Sequence, residues 1–167
     1  MATKFPFEEF TRVVWVNDPP GIANIAAPTL LELNHPETVD LSCLLTTDGL
    51  ALGVGTNAVS GSQLCSRLDS QVPGKVTFSP SLTGFRYNDE DDDDLWYLAT
   101  WALTGYLVVR RGRPHDQAWA SGAPVEVYKA QLGEPGMANS AGDTMQTFSV
   151  PLFFDDFDQK AFVGGTS

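Results

Sequence analysis

Short runs of β-branched and aromatic residues, separated by glycine, proline and aspartate, dominate the hydrophobic pattern of the chain. Such runs are typical of β-strands bounded by turns. In one of them Pro80 and Gly84 break the alternation, which favours an edge strand or a bulged strand. The predicted strands are residues 11–16, 39–45, 50–54, 75–87, 106–111, 125–132 and 144–153.

Asp48-Gly49 lies between two of these strands, after Thr46 and Thr47. An Asp-Gly pair readily supplies the positive φ angles of a tight two-residue turn. We therefore expect residues 39–45 and 50–54 to pair as a hairpin.

Two segments have the spacing of a capping box. In this motif a Ser or Thr hydroxyl accepts a hydrogen bond from the backbone amide three residues later, and the Glu or Gln side chain there accepts one from the Ser or Thr backbone amide. Thr29 to Glu32 predicts about one turn of helix within the long connection 19–36. Ser60 to Gln63 precedes further apolar positions and predicts a short helix that ends near Pro73.

The strongest helical signal follows the acidic run Asp89–Asp94. Apolar residues recur there at intervals of three and four, the stripe of an amphipathic helix. Acidic residues favour a helix start, and Gly105 is placed where a C-terminal glycine would end the helix. The stripe consists of Leu95, Leu98, Ala99, Ala102 and Leu103.

Together these elements predict a mainly β (α+β) fold, an antiparallel sandwich or barrel with one principal α-helix packed on it. The length of 167 residues suits a single domain. We expect an N-terminal arm over residues 1–10, a long loop over 19–36 and a Gly-rich C-terminal tail over 154–167.

The charge and cysteine content exclude several classes of function. A formal charge of −11 argues against a surface that holds nucleic acid by its phosphates. Cys43 and Cys65 lack the spacing of a zinc site, and we expect two buried, reduced thiols, with a disulfide as the alternative. We see no secretory signal and no apolar run of membrane-spanning length, so we expect a protein made in the cytoplasm with no membrane partner.

Few residues suggest catalysis or ligand binding, and we expect neither an enzyme nor a cofactor or metal site. Gly53–Ala58 fits the loose pattern of a dinucleotide-binding loop, but the long helix and parallel strand that such a site needs are not predicted. His115 lies in a polar turn without a nearby nucleophile. The acidic surface candidates lack the spacing of a calcium loop and are read as a solvated helix start: Asp89, Glu90, Asp91, Asp92, Asp93 and Asp94. A weak ion site and an acidic contact with a basic partner are the alternatives.

Three segments carry a family resemblance: Gly105-Tyr-Leu-Val-Val-Arg-Arg-Gly-Arg-Pro114, the strand Val125–Tyr128, and the loop sequence Ile22–Asn34. Together they resemble the major tail tube proteins of long, non-contractile-tailed bacteriophages, especially those infecting actinobacteria. The likeness spans residues 10–153, and the order of predicted elements agrees with it. The acidic run and the Phe-rich segment Pro151–Phe162 depart from the resemblance.

The resemblance implies a structural virion protein whose subunits form hexameric rings stacked into a tail tube. Viral DNA would pass through this conduit during ejection without specific binding. The implied partners are further copies of the chain and other tail proteins, namely the tape measure, tail terminator and distal tail proteins. The implied location is the virion tail, with assembly in the host cytoplasm.

Residues for subunit and ring contacts are expected in the arm, in the long loop and at a pair of arginines. Arg110 and Arg111 are adjacent in a strand and must point to opposite faces, so one of them is expected to form an ion pair across a subunit boundary. The interface candidates are Phe5, Phe7, Phe10, Ile22, Ile25, Leu30, Arg110 and Arg111.

Two other classes of function stay open at this point. One is a monomeric β-sandwich that binds a ligand or carbohydrate, with Trp119 or Tyr128 exposed in a groove. The other is a small oxidoreductase that uses the glycines around Gly53.

Overall fold

The computed structural model describes residues 9–61, 64–65, 67, 70–138 and 142–165. Within these residues the chain forms ten strands and two short helices. In chain order they are β1 (Thr11–Asn17), α1 (Leu30–Leu33), β2 (Val39–Asp40), β3 (Leu45–Ala51), β4 (Gly55–Gly61), β5 (Ser70–Thr77), β6 (Ser81–Phe85), α2 (Asp94–Leu98), β7 (Thr104–Arg111), β8 (Pro124–Leu132), β9 (Gly136–Met137) and β10 (Thr147–Phe162).

Eight of the strands form one antiparallel sheet in the order β2-β1-β7-β8-β10-β6-β3, with β9 beside β10. The sheet is curled into a half-barrel. Strand β10 joins its two parts, since residues 147–151 pair with β6 and residues 152–162 pair with β8. Strands β4 and β5 pair only with each other. The mainly antiparallel β fold expected from the sequence is confirmed.

The central strands β1, β7 and β8 are buried on both faces, as their nearly continuous apolar sequences require. On one face Trp15, Leu107 and Tyr128 pack in the larger core, which β6 and α2 help to close. On the opposite face Val108 and Val127 pack in a second core under the long loop.

Gly105 is required by the larger core. A Cβ atom at this position would lie 2.6 Å from the Trp15 indole ring and 2.5 Å from the Val16 carbonyl oxygen. Only glycine therefore allows β7 to pass so close to β1 at the buried tryptophan. The glycine lies in a strand, so its predicted role at the end of a helix is wrong.

The Thr29 to Glu32 capping box is confirmed, and it starts a single helical turn. The Glu32 amide donates to the Thr29 Oγ1 atom at 3.3 Å, while the Thr29 amide donates to the Glu32 Oε2 atom at 2.8 Å. The other Glu32 oxygen accepts from the Ala23 amide, which ties the helix to the preceding loop.

The predicted Asp48-Gly49 hairpin is wrong. Residues 45–51 form one strand, β3, which pairs with β6 and is bulged between Leu45 and Leu50. A Cβ atom on Gly49 would overlap the backbone oxygen of Thr83 and crowd the Thr46 backbone, so glycine is needed there for close approach to β6 and to the bulge of β3 itself.

The helix predicted after Ser60 is wrong where the structure describes this segment. Strand β4 runs to Gly61 and pairs with β5, which contains Pro73 and the following glycine. Gln63, the other half of the proposed capping box, lies outside the described residues. Cross-strand pairing thus replaces the local helix preference of this segment.

The principal helix is also shorter than predicted, because α2 ends at Leu98. Ala102 has a positive φ of 62° and so cannot continue a helix. Its amide donates to the Leu132 carbonyl oxygen, and the Leu132 amide donates to the Leu103 carbonyl oxygen, both at 2.9 Å. Bonds to β8 therefore replace the last turns of the expected helix.

Three further expectations need correction. Strand β10 continues through residues 154–162, where an irregular tail was expected, because it finds β8 as a partner. The single edge or bulged strand expected over residues 75–87 is divided between β5 and β6, and β6 lies between β10 and β3 rather than at an edge. Cys43 and Cys65 are exposed free thiols, because both lie in turns outside the two cores.

Candidate assembly interface

The second half of β10 forms a long open edge of the sheet. Strand β8 and then β9 pair with β10 on one side, while β6 occupies the other side only as far as Leu152. Along residues 153–161 no strand of the described chain pairs on the β6 side. An open edge presents unpaired amides and carbonyls to which another chain can add a strand.

This edge has features that limit uncontrolled pairing. Asp156 accepts a hydrogen bond from the Phe157 amide, and Asp158 accepts one from the Lys160 amide, each at 2.8 Å. The register of β10 with β8 also shifts twice, between Phe154 and Asp156 and between Asp158 and Ala161. Charged residues and irregularities of this kind restrict an edge to selected partners.

Aromatic side chains are exposed along the second half of β10. Phe153 and Phe162 are more than half exposed, at 62% and 57%. Phe157 is partly covered by Phe78, whose ring centroid lies 4.8 Å away in an edge-on arrangement. Aromatic side chains on an exposed surface are typical of sites that become buried on association.

The β4–β5 hairpin lies apart from the cores and is exposed along nearly its whole length. Val59 lies opposite Val72, and Thr56 lies opposite Val76, so apolar side chains lie on the surface of the hairpin. Val59, Val72 and Val76 are 55%, 58% and 45% exposed, respectively. Because an isolated two-stranded hairpin is marginally stable in water, this element needs a partner.

Arg110 and Arg111 point to opposite faces, as predicted, but Arg110 lies inside the subunit. Its side chain is 0% exposed, and its guanidinium donates to the carbonyl oxygens of Pro114, Gln117 and Ala118 at 2.7–3.2 Å. Burial lowers the pKa of this arginine. This placement argues against Arg110 as half of an ion pair between subunits.

Arg111 forms an ion pair with Glu126 of the same subunit. Its Nε atom donates to the Glu126 Oε1 atom at 2.9 Å, and Nη2 donates to Oε2 at 3.4 Å. The Tyr128 hydroxyl donates to the same carboxylate at 3.0 Å. Burial and the neighbouring Glu126 charge raise the pKa of Tyr128 to about 12.

The apolar residues of the long loop cover their own subunit. Ile22 is buried, and Ile25 and Leu30 are partly buried against the second core. The exposed large apolar side chain of this region is Leu31, on the outer side of α1, which the sequence pattern did not single out. The loop therefore supports the fold first and offers a small apolar contact at Leu31.

The N-terminal arm enters the described chain at Glu9 and Phe10. The Phe10 carbonyl accepts from the Gly112 amide at 2.8 Å, and the Glu9 carbonyl accepts from the His115 amide at 2.8 Å. Phe5 and Phe7 lie outside the described residues, so their predicted contacts stay a prediction.

The acidic run is exposed except at Asp93, which was expected at the surface but is only 2% exposed. Asp93 is buried because it pairs with Arg86 at 2.7 Å, and Arg86 in turn stacks on the Trp96 ring. Nearby, Trp101 is 73% exposed, and the structure shows it as the most exposed tryptophan of the described chain.

The side chains proposed for a carbohydrate groove are not available. Trp119 is 7% exposed and lies between Arg12 and Arg110, whose guanidinium carbons are 5.0 Å and 4.8 Å from its ring centroid. Tyr128 is fully buried and stacks on Phe154 at 4.7 Å. These aromatic residues stabilise the fold instead of presenting a platform to a sugar.

The glycines around Gly53 also lack the setting of a nucleotide site, because they lead into strand β4 and not into a helix. No cluster of three or more metal-ligating side chains occurs in the described part of the chain. In the same part, no helix is long and apolar enough to cross a membrane.

Sequence reasoning missed two of these surfaces, the β4–β5 hairpin and the β10 edge. A signal for the first was present in the valines at 59, 72 and 76, which lie on either side of a polar stretch. For the second, apolar residues at 150, 152, 154 and 157 continued past the predicted strand end. The bulges of β10 break the strict alternation and hid its length.

Comparisons with known proteins agree with this architecture. A solved structure similar to the chain is a component of the anti-feeding prophage baseplate, determined by cryo-electron microscopy with 6-fold symmetrisation. The TM-score is 0.59 at 10% sequence identity, with 98% of each chain covered, so the likeness is one of fold. No curated protein matches the sequence.

The match to a family is more extensive than any single motif. A family model described as phage tail tube protein matches residues 1–163, which includes the hairpin, the acidic run and all of β10. Proteins of this family are structural components of the virion tail and are not enzymes. The chain therefore belongs to the phage tail tube protein family.

Proposed function

We propose that six copies of the protein close into a ring, and that rings stack into a tail tube through which viral DNA passes. The observation that carries this proposal is the open β10 edge at residues 153–161. Joining such edges from subunit to subunit produces a continuous barrel and removes the edges. The sixfold symmetry stated for the similar baseplate particle supports a hexameric ring.

In this proposal the sheet is completed only by neighbouring copies. Strands β2 and β3, at the two ends of the strand order, supply the other free edges, since each pairs on one side only. Obligate interfaces of this type bury on the order of 2,000 Å² or more. The exposed phenylalanines of β10 and the valines of the hairpin provide apolar area for them.

The net charge has a mechanical role in the same proposal. A ring of six copies would have a charge of 6 × −11 = −66. Duplex DNA has a charge about every 1.7 Å along its axis, so a negative wall would repel it. With a Debye length of about 8 Å at physiological salt, this repulsion would act close to the wall and let DNA slide.

Other partners follow from the position of the tube in the tail. The tape measure, tail terminator and distal tail proteins are the other partners that this proposal includes. Subunits would be made and assembled in the host cytoplasm and then reside in the virion tail.

Negative-stain electron microscopy of the concentrated wild-type protein tests the proposal. We expect rings with six-fold rotational symmetry and tubes made from them. A protein that stays a compact monomer at high concentration, and in intact particles, would contradict it. A map of the tube with a bore lined mainly by Arg and Lys would contradict the account of the charge.

A further inference from the structure

Trp101 is exposed to an unusual degree for so large an apolar side chain. It is 73% exposed, whereas Trp15 and Trp119 are 0% and 7% exposed. Its position is fixed by the next residue, Ala102, which has a φ of 62° and whose amide donates to the Leu132 carbonyl oxygen at 2.9 Å. A tryptophan displayed by a constrained backbone is typical of a side chain that becomes buried on association.

Trp101 lies at one end of the central strands. Thr104 begins β7 shortly after it, and the Thr104 carbonyl oxygen accepts from the Asp18 amide at 3.2 Å, where β1 has just ended. At the other end of β7, Arg111 lies opposite Thr11, the first residue of β1. Strand β7 rises about 23 Å between these ends, at about 3.3 Å per residue. Surfaces at the two ends are therefore too far apart to meet within one subunit.

A cleft lies at the Thr11 end, between β1 and β3, and we call it the β1–β3 cleft. Its volume is about 200 Å³. Because a cavity of about 150 Å³ is enough to take up benzene, the cleft is large enough for an indole ring. Its wall combines aliphatic side chains with hydroxyl groups, as an indole with one N–H donor requires: Thr11, Val13, Leu45, Thr46, Thr47 and Leu50.

Two of these hydroxyl groups are available as acceptors. The side chains of Thr46 and Thr47 form no hydrogen bond among the described residues, and Thr47 is exposed at the surface. Either of them can therefore accept from the N–H group of an indole that enters the cleft.

The two ends of the central strands also differ in charge. Backbone hydrogen bonds join residues 17–18, 101–104 and 132–134 at the Trp101 end, where these segments contain two acidic residues and no basic one. At the cleft end, similar bonds join residues 9–12 to residues 110–117, which together contain four arginines against two acidic residues, a net +2. Opposite charges would thus meet if the two ends of different copies came together.

We propose that Trp101 of one copy inserts into the β1–β3 cleft of a second copy in the next ring. This inference rests on the proposed tube and names the contact between its rings. Strands of a closed barrel tilt by about 35–45° from the barrel axis, so the strand ends lie at the two faces of the ring. One face then presents six copies of Trp101, and the other face presents six clefts.

A second copy is the occupant that the position of the two surfaces favours. Both surfaces are present on every subunit, and the family assembles with itself. A contact between two different surfaces of identical copies repeats in one direction without closing, which is the symmetry that a stack of rings needs. Six such contacts between two rings act together, so a small loss in each one weakens stacking strongly.

Substitution of Trp101 gives the first test. We expect Trp101→Ala to form single rings and to need at least a tenfold higher concentration for tubes, measured by negative-stain electron microscopy over a dilution series. Trp101→Phe should have a smaller effect, because phenylalanine retains an aromatic ring. Met145→Ala is the matched control, since Met145 is 78% exposed and is not part of either surface. This control should form tubes like the wild type.

A substitution that fills the cleft gives the second test. Thr46→Trp places an indole from the same subunit in the cleft, and we expect this variant also to form single rings. Rings of Trp101→Ala still have an open cleft, and rings of Thr46→Trp still have Trp101. A mixture of the two kinds of ring should therefore form stacks that stop at two rings, although neither kind stacks alone.

A third test keeps the shape of the cleft and removes its acceptors. Thr46→Val with Thr47→Val should raise the concentration needed for tubes severalfold in the wild-type background and should have no effect in the Trp101→Phe background, which has no indole N–H group. This double variant remains informative if circular dichroism shows that Thr46→Trp does not fold. An equal effect in both backgrounds would contradict the contact.

Tryptophan fluorescence reports the same contact directly. The emission of the wild type should shift to shorter wavelength when tubes form, because Trp101 leaves water, and Trp101→Phe should lose this shift. A shift that is the same in Trp101→Phe would show that Trp101 stays in water.

The outcomes separate this inference from the tube itself. If Trp101→Ala and the wild type form the same tubes at the same concentration, the contact is wrong and the tube stands. If folded Thr46→Trp fails to stack while Trp101→Ala stacks normally, another segment occupies the cleft and the contact is again wrong. A wild-type protein that forms no rings contradicts the proposed function, and the contact is then wrong with it.

Discussion

Arg86 donates a hydrogen bond of 2.7 Å from its Nε atom to the Oδ2 atom of the buried Asp93. The guanidinium carbon also lies 4.0 Å from the ring centroid of Trp96, which packs edge-on against Phe148 in the larger core. Removing one partner of such a pair leaves a buried charge without compensation. We expect Arg86→Ala to lower the free energy of unfolding by about 3 kcal/mol, measured by urea denaturation.

The exposed Lys129–Asp155 pair, at 3.8 Å, is the control for this prediction. Lys129→Ala should change the free energy of unfolding by less than about 1 kcal/mol, because solvent screens the interaction. Equal effects of the two substitutions would show that burial of Asp93 does not determine the stability.

Arg110 provides a second test of buried charge. Its guanidinium holds the loop 112–120 by three carbonyl oxygens and lies 4.8 Å from the Trp119 ring centroid. Lysine retains the charge but has a single ammonium group, which does not reproduce the planar fork. We therefore expect Arg110→Lys to destabilise the protein by about 2–4 kcal/mol and Arg110→Met to do so at least as strongly.

Thermal and urea unfolding of these variants give the measurement. An unchanged unfolding midpoint for Arg110→Lys would contradict the role of the guanidinium geometry. Tryptophan fluorescence is a second readout, since loss of the arginine should expose Trp119, which is now 7% exposed.

The sequence identified the central strands because their signal is local. Apolar residues of β1, β7 and β8 form continuous runs, as strands buried on both faces require. The Thr29 to Glu32 box was found for the same reason, since its bonds join residues three positions apart.

The elements that were mispredicted are those whose structure depends on partners distant in sequence. The stripe from Leu95 to Leu103 has helical spacing. In its second half, however, the backbone groups form hydrogen bonds with Leu132 instead of continuing the helix. Asp48-Gly49 is a good turn sequence, but Gly49 lies against Thr83 of β6. The open edge at residues 153–161 follows from which strands pair on each side of β10, and no local pattern contains that information.

Stability at alkaline pH should depend on Tyr128. Burial raises the pKa of its phenol to about 12, above the ordinary value of 10.0. The folded state therefore keeps a proton that the unfolded state loses, so stability falls as pH rises from 10 towards 12. The full difference of about two units corresponds to at most about 2–3 kcal/mol.

Urea denaturation as a function of pH measures this fall. Tyr128→Phe should be less stable at neutral pH, because it loses the bonds to Glu126 and Gln159, but should lose less stability between pH 10 and 12. Tyr97→Phe, which removes an exposed phenol, is the control. Identical alkaline profiles for wild type and Tyr128→Phe would refute the assignment.

The N-terminal arm is predicted to act in assembly and not in folding. Deletion of residues 2–8 removes Phe5 and Phe7 but keeps the Glu9 and Phe10 carbonyls that bond to His115 and Gly112. We expect soluble, folded subunits that fail to form tubes in negative-stain images. Normal tubes from the deleted protein would show that the arm is not part of the interface.

The open edge of β10 leads to the final prediction. Phe153 is 62% exposed and lies where the edge begins, so a negative charge there would be buried when a neighbouring strand pairs. Burial of an uncompensated charge is costly, whereas the same charge in a free subunit stays in water. Phe153→Asp should therefore leave the unfolding midpoint of the monomer nearly unchanged and prevent ring formation, measured by analytical ultracentrifugation.

Met145→Asp is the matched control for this edge. Met145 is 78% exposed and precedes β10, so the substitution adds the same charge at an apolar surface position outside the open edge. We expect this variant to assemble. Rings formed by Phe153→Asp at the wild-type concentration would place the subunit boundary elsewhere, and the free edges of β2 and β3 would then be the surfaces to test in the same way.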